Sequence, residues 1–152
     1  MANGHERKVL LGEAAEHLVL ARLLRRGYVA SQAPRTWRAD DILVYGGPRV
    51  QVKATIRGIK VGWVVTDVEV ADDRFYALVD FSDEGAPVIY VLPSVEVRRA
   101  AETFHAAWLL KSHSTSQTDV RKVQDPFPPY VDGYAPGWLE QFREAWYVIP
   151  QR

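Results

Sequence analysis

The chain contains no cysteine. That excludes a disulfide scaffold, a thiolate zinc site and a cysteine nucleophile. No apolar run approaches the roughly 20 residues of a membrane-spanning helix, so no membrane partner is expected. Residues Met1 to Lys8 lack an apolar signal segment and lead directly into a helical pattern. A cytoplasmic location is the expectation. Net charge is absent as well, with 19 Lys and Arg against 19 Asp and Glu. The phosphate-cradling GxxxxGKS/T, the dinucleotide GxGxxG, the zinc-binding HExxH and the serine elbow GxSxG are all missing. The four histidines, His5, His17, His105 and His113, never fall at metal-ligand spacing on a helix. His105 lies among apolar residues and reads as a core or rim histidine.

What is present is globular. The 152 residues are 47% hydrophobic and 25% charged, with five Trp and seven Tyr. One domain spanning 1–152 is expected, with its core at about 8–110 and a loop plus closing helix over 111–152. The charge is uneven. Residues 1–60 carry eleven Lys and Arg against five Asp and Glu, and residues 61–152 carry eight against fourteen. A basic first half points that half at a polyanion.

Lys8 to Arg26 predicts a helix, with Leu10, Leu11, Ala14, Ala15, Leu18, Ala21 and Leu24 at helical spacing. Arg25 and Arg26 suit its last turn, and Gly27 suits the position after its cap. Glu16 is set among Gly12, Val19, Leu20 and Leu23, and an acid on an apolar stripe needs a partner, a proton or a metal. Glu13 reads as a boundary residue. A half-exposed Glu16 bonded to an arginine is the plain alternative. Tyr28 to Ser31 predicts a short strand. Pro34 to Arg38 predicts a loop where Arg35 and Arg38 flank Trp37, a pattern that suits phosphates and bases but equally an ordinary loop.

Ile42 to Tyr45 and Val50 to Ala54 predict a β-hairpin around Gly46-Gly47-Pro48. A three-residue loop there would pair Tyr45 with Arg49, Leu43 with Gln51 and Asp41 with Lys53. Strand alternation then puts Asp41, Gln51 and Lys53 on one face and apolar residues on the other. Two readings follow: a cross-strand Asp41–Lys53 ion pair, or a divalent-metal site with oxygen ligands and a lysine beside them. Arg57 and Lys60 add a basic patch downstream. Strands are expected at Phe75–Phe81 and Val88–Leu92, then a helix from an N-capping Ser94 to about Leu110. Residues 111–136 read as a long loop, and Gly137–Trp146 as a short closing helix.

Taken in order, a helix carrying Gly12-Glu13-Ala14-Ala15-Glu16, then Asp41-Ile42-Leu43-Val44, then Val50-Gln51-Val52-Lys53 resembles the PD-(D/E)xK nuclease superfamily. The likeness is nearest to its Holliday-junction-resolvase-like and small restriction-endonuclease-like branches, and by motif it covers about residues 8–55. It implies an α/β fold with a restriction-endonuclease-like αβββαβ core, a mixed central sheet flanked by helices. It implies hydrolysis of phosphodiester bonds in DNA with Mg²⁺, or Mn²⁺, as cofactor. Asp41 would be the central metal ligand, Gln51 the second through its amide oxygen, and Glu16 would complete the site from the helix. Lys53 would orient water and stabilise developing charge. DNA would run along Arg35, Arg38, Arg57 and Lys60, and a homodimer is a second partner expectation. Two departures stand out: Gln51 where the superfamily usually has Glu, and no proline before Asp41. The alternatives are a catalytically inactive nuclease-fold module that binds nucleic acid or a protein, and an interaction domain using the acidic 67–84 surface.

Overall fold

A computed structural model describes residues 1–37, 39–112 and 121–151. Helix α1 (Gly4–Arg25) opens with a reciprocal cap. Asn3 Oδ1 accepts the N–H groups of His5 and Glu6, and Glu6 Oε2 accepts the N–H of Asn3 at 2.7 Å. This box starts the helix four residues before the apolar pattern does, and such a cap stabilises by about 1 kcal/mol. Gly27, at φ +86°, ends it in the left-handed conformation expected. The buried residues of α1 are Ala15, Val19 and Leu23. The expected stripe through Leu10, Ala14 and Leu24 is largely solvent-facing, with Leu10 56% and Leu24 51% exposed. The stripe that holds Glu16 is therefore the one the helix buries.

Strands β1 (Ala30–Gln32), β2 (Ile42–Val44), β3 (Arg49–Thr55), β5 (Arg74–Asp80) and β6 (Val88–Pro93) form a mixed sheet in the order β1-β2-β3-β5-β6. Within this sheet β3 and β5 run parallel and the other neighbouring pairs antiparallel. β4 (Trp63–Val64) pairs with β7 (Lys122–Val123) as a small second sheet. The hairpin forms, but its register is two residues from the expected one: Ile42 pairs with Val50 and Leu43 with Arg49. Its turn is Tyr45-Gly46-Gly47, because both glycines take positive φ and Val44 N–H donates to the Pro48 carbonyl at 2.8 Å. Pro48, just before β3, has no N–H to give, but its carbonyl is all this position needs.

The expected αβββαβ order is met through α1-β1-β2-β3 and then departs. The crossover between parallel neighbours β3 and β5 is not a helix; it runs over residues 56–73 through β4. Gly58 and Gly62, at φ +81° and +73°, interrupt any helical run there. At Gly62 a Cβ would collide with the Val123 carbonyl, so only glycine lets β4 approach β7. Helix α2 (Ser94–Ser112) follows the β5–β6 hairpin instead. Ser94 is not its cap: the Ser94 hydroxyl donates to the Ala71 carbonyl and accepts the Ala71 N–H.

Each sheet face is covered. On one, Ala15, Val19 and Leu23 of α1 meet Ile42, Val50, Val52, Ala77 and Val91, closed by Trp146 and Ile149. Tyr28 Oη lies within hydrogen-bond distance of the carbonyls of Trp146 and Ile149, which share its one proton, tying the chain's last turns to the end of α1. On the other, Val97, Ala101 and Phe104 of α2 meet Tyr76, Leu78, Tyr90 and Leu92, with Trp63 and Val123 between. Of the expected 111–136 loop, residues 113–120 lie outside the described residues. Val123, Phe127 and Val131 are buried in this second core. The expected closing helix is two 3-10 turns, Trp138–Phe142 and Trp146–Val148. Among the described residues, no helix is long and apolar enough to cross a membrane.

Candidate active site

β2 parts from β3 at Asp41. Its N–H still donates to the Val50 carbonyl at 3.0 Å, while its Oδ2 accepts the Val52 N–H at 2.7 Å. The side chain thus takes a ladder position that backbone would otherwise fill. This places the carboxylate at the wall of a cleft of about 510 Å³ that Glu13, Glu16, His17, Arg35, Trp37 and Asp40 also line. Trp37 is 51% exposed there, so it belongs to the surface and not the core.

Two carboxyls in the cleft titrate above their ordinary values. Burial pushes the Asp41 carboxyl above its ordinary value, against the pull of the Val52 N–H and of Lys53. Burial also raises Glu16, and the nearby Asp41 and Glu13 charges raise it further, while His17 and Arg35 pull it down. Glu13 instead meets Arg35 at 3.3 Å. Glu16 therefore feels the Asp41 charge across the cleft, whereas Glu13 is paired with Arg35.

Asp40 has a different fate. It is 5% exposed and lies 3.3 Å from Arg49 and 3.5 Å from Arg74. Arg74, itself 2% exposed at the start of β5, donates to Gln51 Oε1 at 3.1 Å, to Glu69 at 2.8 Å and to the Ala39 carbonyl. Arg49 also grips Asp73, whose carboxyl that bond holds below its ordinary value. Glu69 and Asp73, both in the acidic 67–84 surface, are therefore spent on these arginines. Of the expected triplet, Asp41 joins Glu16 in the cleft, whereas Gln51 is engaged by Arg74 and does not line it.

Lys53 lines an adjoining groove of about 590 Å³ whose charged residues, among the described residues, are all cationic: Lys8, Lys53, Arg57 and Lys122. Lys8 and Gly12 belong to both depressions, so the acidic cleft and the basic groove meet along α1. Arg35 borders the cleft, and Lys60 is exposed but lines neither depression. Arg38 lies outside the described residues.

Three contributors escaped the reading of the sequence. Lys8 had a signal, because it sits two turns before Glu16 on the same stripe. Arg74 had a faint one, as a cation between Asp73 and an apolar strand. Lys122 had none, since β4–β7 pairing brings it from 58 residues beyond Val64.

The residues fit the implied Mg²⁺ in part. Asp41 and Glu16 supply hard oxygen donors whose mutual repulsion a divalent cation would relieve. Gln51 does not fit as placed, because its amide oxygen already accepts a guanidinium. No three His, Cys, Asp or Glu among the described residues form a metal-holding group on their own. In comparisons with known proteins, neither a family model nor a curated protein matches this chain.

Proposed function

We propose that the chain is a restriction-endonuclease-like domain that hydrolyses phosphodiester bonds in DNA with Mg²⁺ as cofactor. The observation that carries the reading is the meeting of the Glu16–Asp41 cleft with a groove lined by Lys8, Lys53, Arg57 and Lys122. A polyanion lying along Lys122, Arg57, Lys53 and Lys8 would pass the two carboxylates. The order α1-β1-β2-β3 and the parallel β3–β5 pair support the fold part of the reading. Asp41 and Glu16 would hold the cation, whose contribution would be Lewis-acid polarisation of a phosphoryl oxygen. Lys53 would stabilise charge that develops on the phosphate, and the remaining cations would fix the strand through phosphate contacts.

A second reading, a module that binds nucleic acid without cutting it, is favoured by the engagement of Gln51. A cleavage assay on supercoiled plasmid and on branched DNA, with Mg²⁺, Mn²⁺ or EDTA, separates the two. Metal-dependent cleavage that falls by on the order of a hundredfold or more in Lys53→Ala and in Asp41→Ala, with circular dichroism unchanged, is the expected result. Nicked circles indicate single centres, and linear product indicates two acting together. Absence of cleavage with salt-sensitive binding retained selects the second reading, and absence of both removes DNA from the account.

A further inference from the structure

Arg74 engages Gln51, the residue that the superfamily resemblance would make a second metal contact. It stands at the head of β5, two register positions from Tyr76, which pairs with Gln51 on β3. Its Nη2 reaches Gln51 Oε1 at 3.1 Å and the Ala39 carbonyl, and lies 3.5 Å from Asp40. Its Nη1 reaches Glu69 at 2.8 Å. One buried guanidinium therefore joins the strand bearing Gln51 to the backbone just before Asp40 and Asp41. A divalent cation brought to the same amide oxygen would sit against a fixed positive charge.

The identity of residue 51 follows from this arrangement. Arg49 and Arg74 already face Asp40, Asp73 and Glu69. A glutamate at 51 would add a fourth carboxylate around two arginines, next to the buried Arg74 and Asp40, where unbalanced charge is costly. A glutamine accepts the same hydrogen bond without the charge.

We infer that Arg74 is a positioning residue that claims Gln51 and fixes the Asp40–Asp41 backbone, so that a metal at this centre is held by Asp41 and Glu16 without Gln51. Arg74 is too buried to touch a substrate. The inference rests on the metal-dependent reading above only for the identity of the remaining ligands; the Arg74–Gln51 contact stands apart from it.

The test is Mn²⁺ binding to the full-length, metal-free protein, read as free Mn²⁺ by electron paramagnetic resonance. Gln51→Ala should bind Mn²⁺ within about twofold of wild type, and Gln51→Glu no tighter. Asp41→Asn should bind at least tenfold more weakly. A tenfold loss in a folded Gln51→Ala protein, or a tenfold gain in Gln51→Glu, would overturn the inference while leaving a metal centre in place. If wild type binds no Mn²⁺, the metal reading fails, and the contact itself is judged from a double-mutant cycle of urea unfolding with Arg74→Lys and Gln51→Ala. Non-additive changes uphold the Arg74–Gln51 contact, and additive changes overturn it.

Discussion

Asp40 and Asp41 are neighbours in sequence with opposite electrostatic surroundings. Asp40 is buried between two arginines, and Asp41 shares a cleft with Glu16 while Lys53 acts on it only at a distance. The first carboxylate is neutralised where it stands. The second is held above its ordinary value by burial. An identical side chain thus serves architecture at one position and remains available for chemistry at the next. The strand edge makes the difference, since Asp41 projects where β2 leaves β3 and Asp40 turns back toward β5.

The largest effect that would break this contrast is removal of Arg74. Arg74→Met leaves Asp40 with Arg49 alone in a nearly dry setting, and the expected loss is about 3–5 kcal/mol in urea unfolding. Adding Asp40→Asn should recover part of it, because the uncompensated charge is then gone. A loss no larger than that of an ordinary surface substitution would mean that Asp40 needs no such neutralisation.

Metal should sharpen the other half. At a free concentration near 100 times its dissociation constant, Mg²⁺ should stabilise wild type by about 2.7 kcal/mol. The same addition should leave the melting temperature of Asp41→Asn unmoved. Equal shifts in both proteins would place the bound cation elsewhere.

The smallest effect is a pH-dependent one in the metal-free protein. Glu16 titrates above its ordinary value of 4.5. As pH rises through that value, the unfolded chain releases its proton first, and the native state loses stability until Glu16 itself ionises. Glu16→Gln lacks this loss. It should match or exceed wild type at neutral pH by up to about 0.5 kcal/mol, with the advantage gone below pH 4.5. Thermal melts at several pH values measure it, and an advantage that grows toward acid would reverse the assigned sign.

Local pattern made part of this legible. Period 3.6 located α1 and singled out Glu16, and period two located the hairpin. The tally of apolar positions chose the wrong centre for the buried face of α1, because Leu10 and Leu24 look as hydrophobic as Val19 and Leu23. Only packing against Ile42 and Val50 distinguishes them. The engagement of Gln51 was hidden because its partner lies 23 residues away on a parallel neighbour, a pairing that no local pattern encodes. The basic groove was half visible through Lys53 and Arg57. Lys122 enters it only through β4–β7 pairing.

The hairpin turn has a consequence for how this chain can change in length. The observed register and the one read from the sequence differ by two residues, and both keep Ile42 and Val44 on the same side. A one-residue insertion or deletion between Tyr45 and Pro48 that carried through into β2 would instead turn Ile42 and Val44 out to water and Leu43 inward. The turn therefore behaves as a two-notch ratchet. Natural drift or engineered grafts should be accepted there in steps of two residues, and single steps only where a bulge absorbs the odd residue.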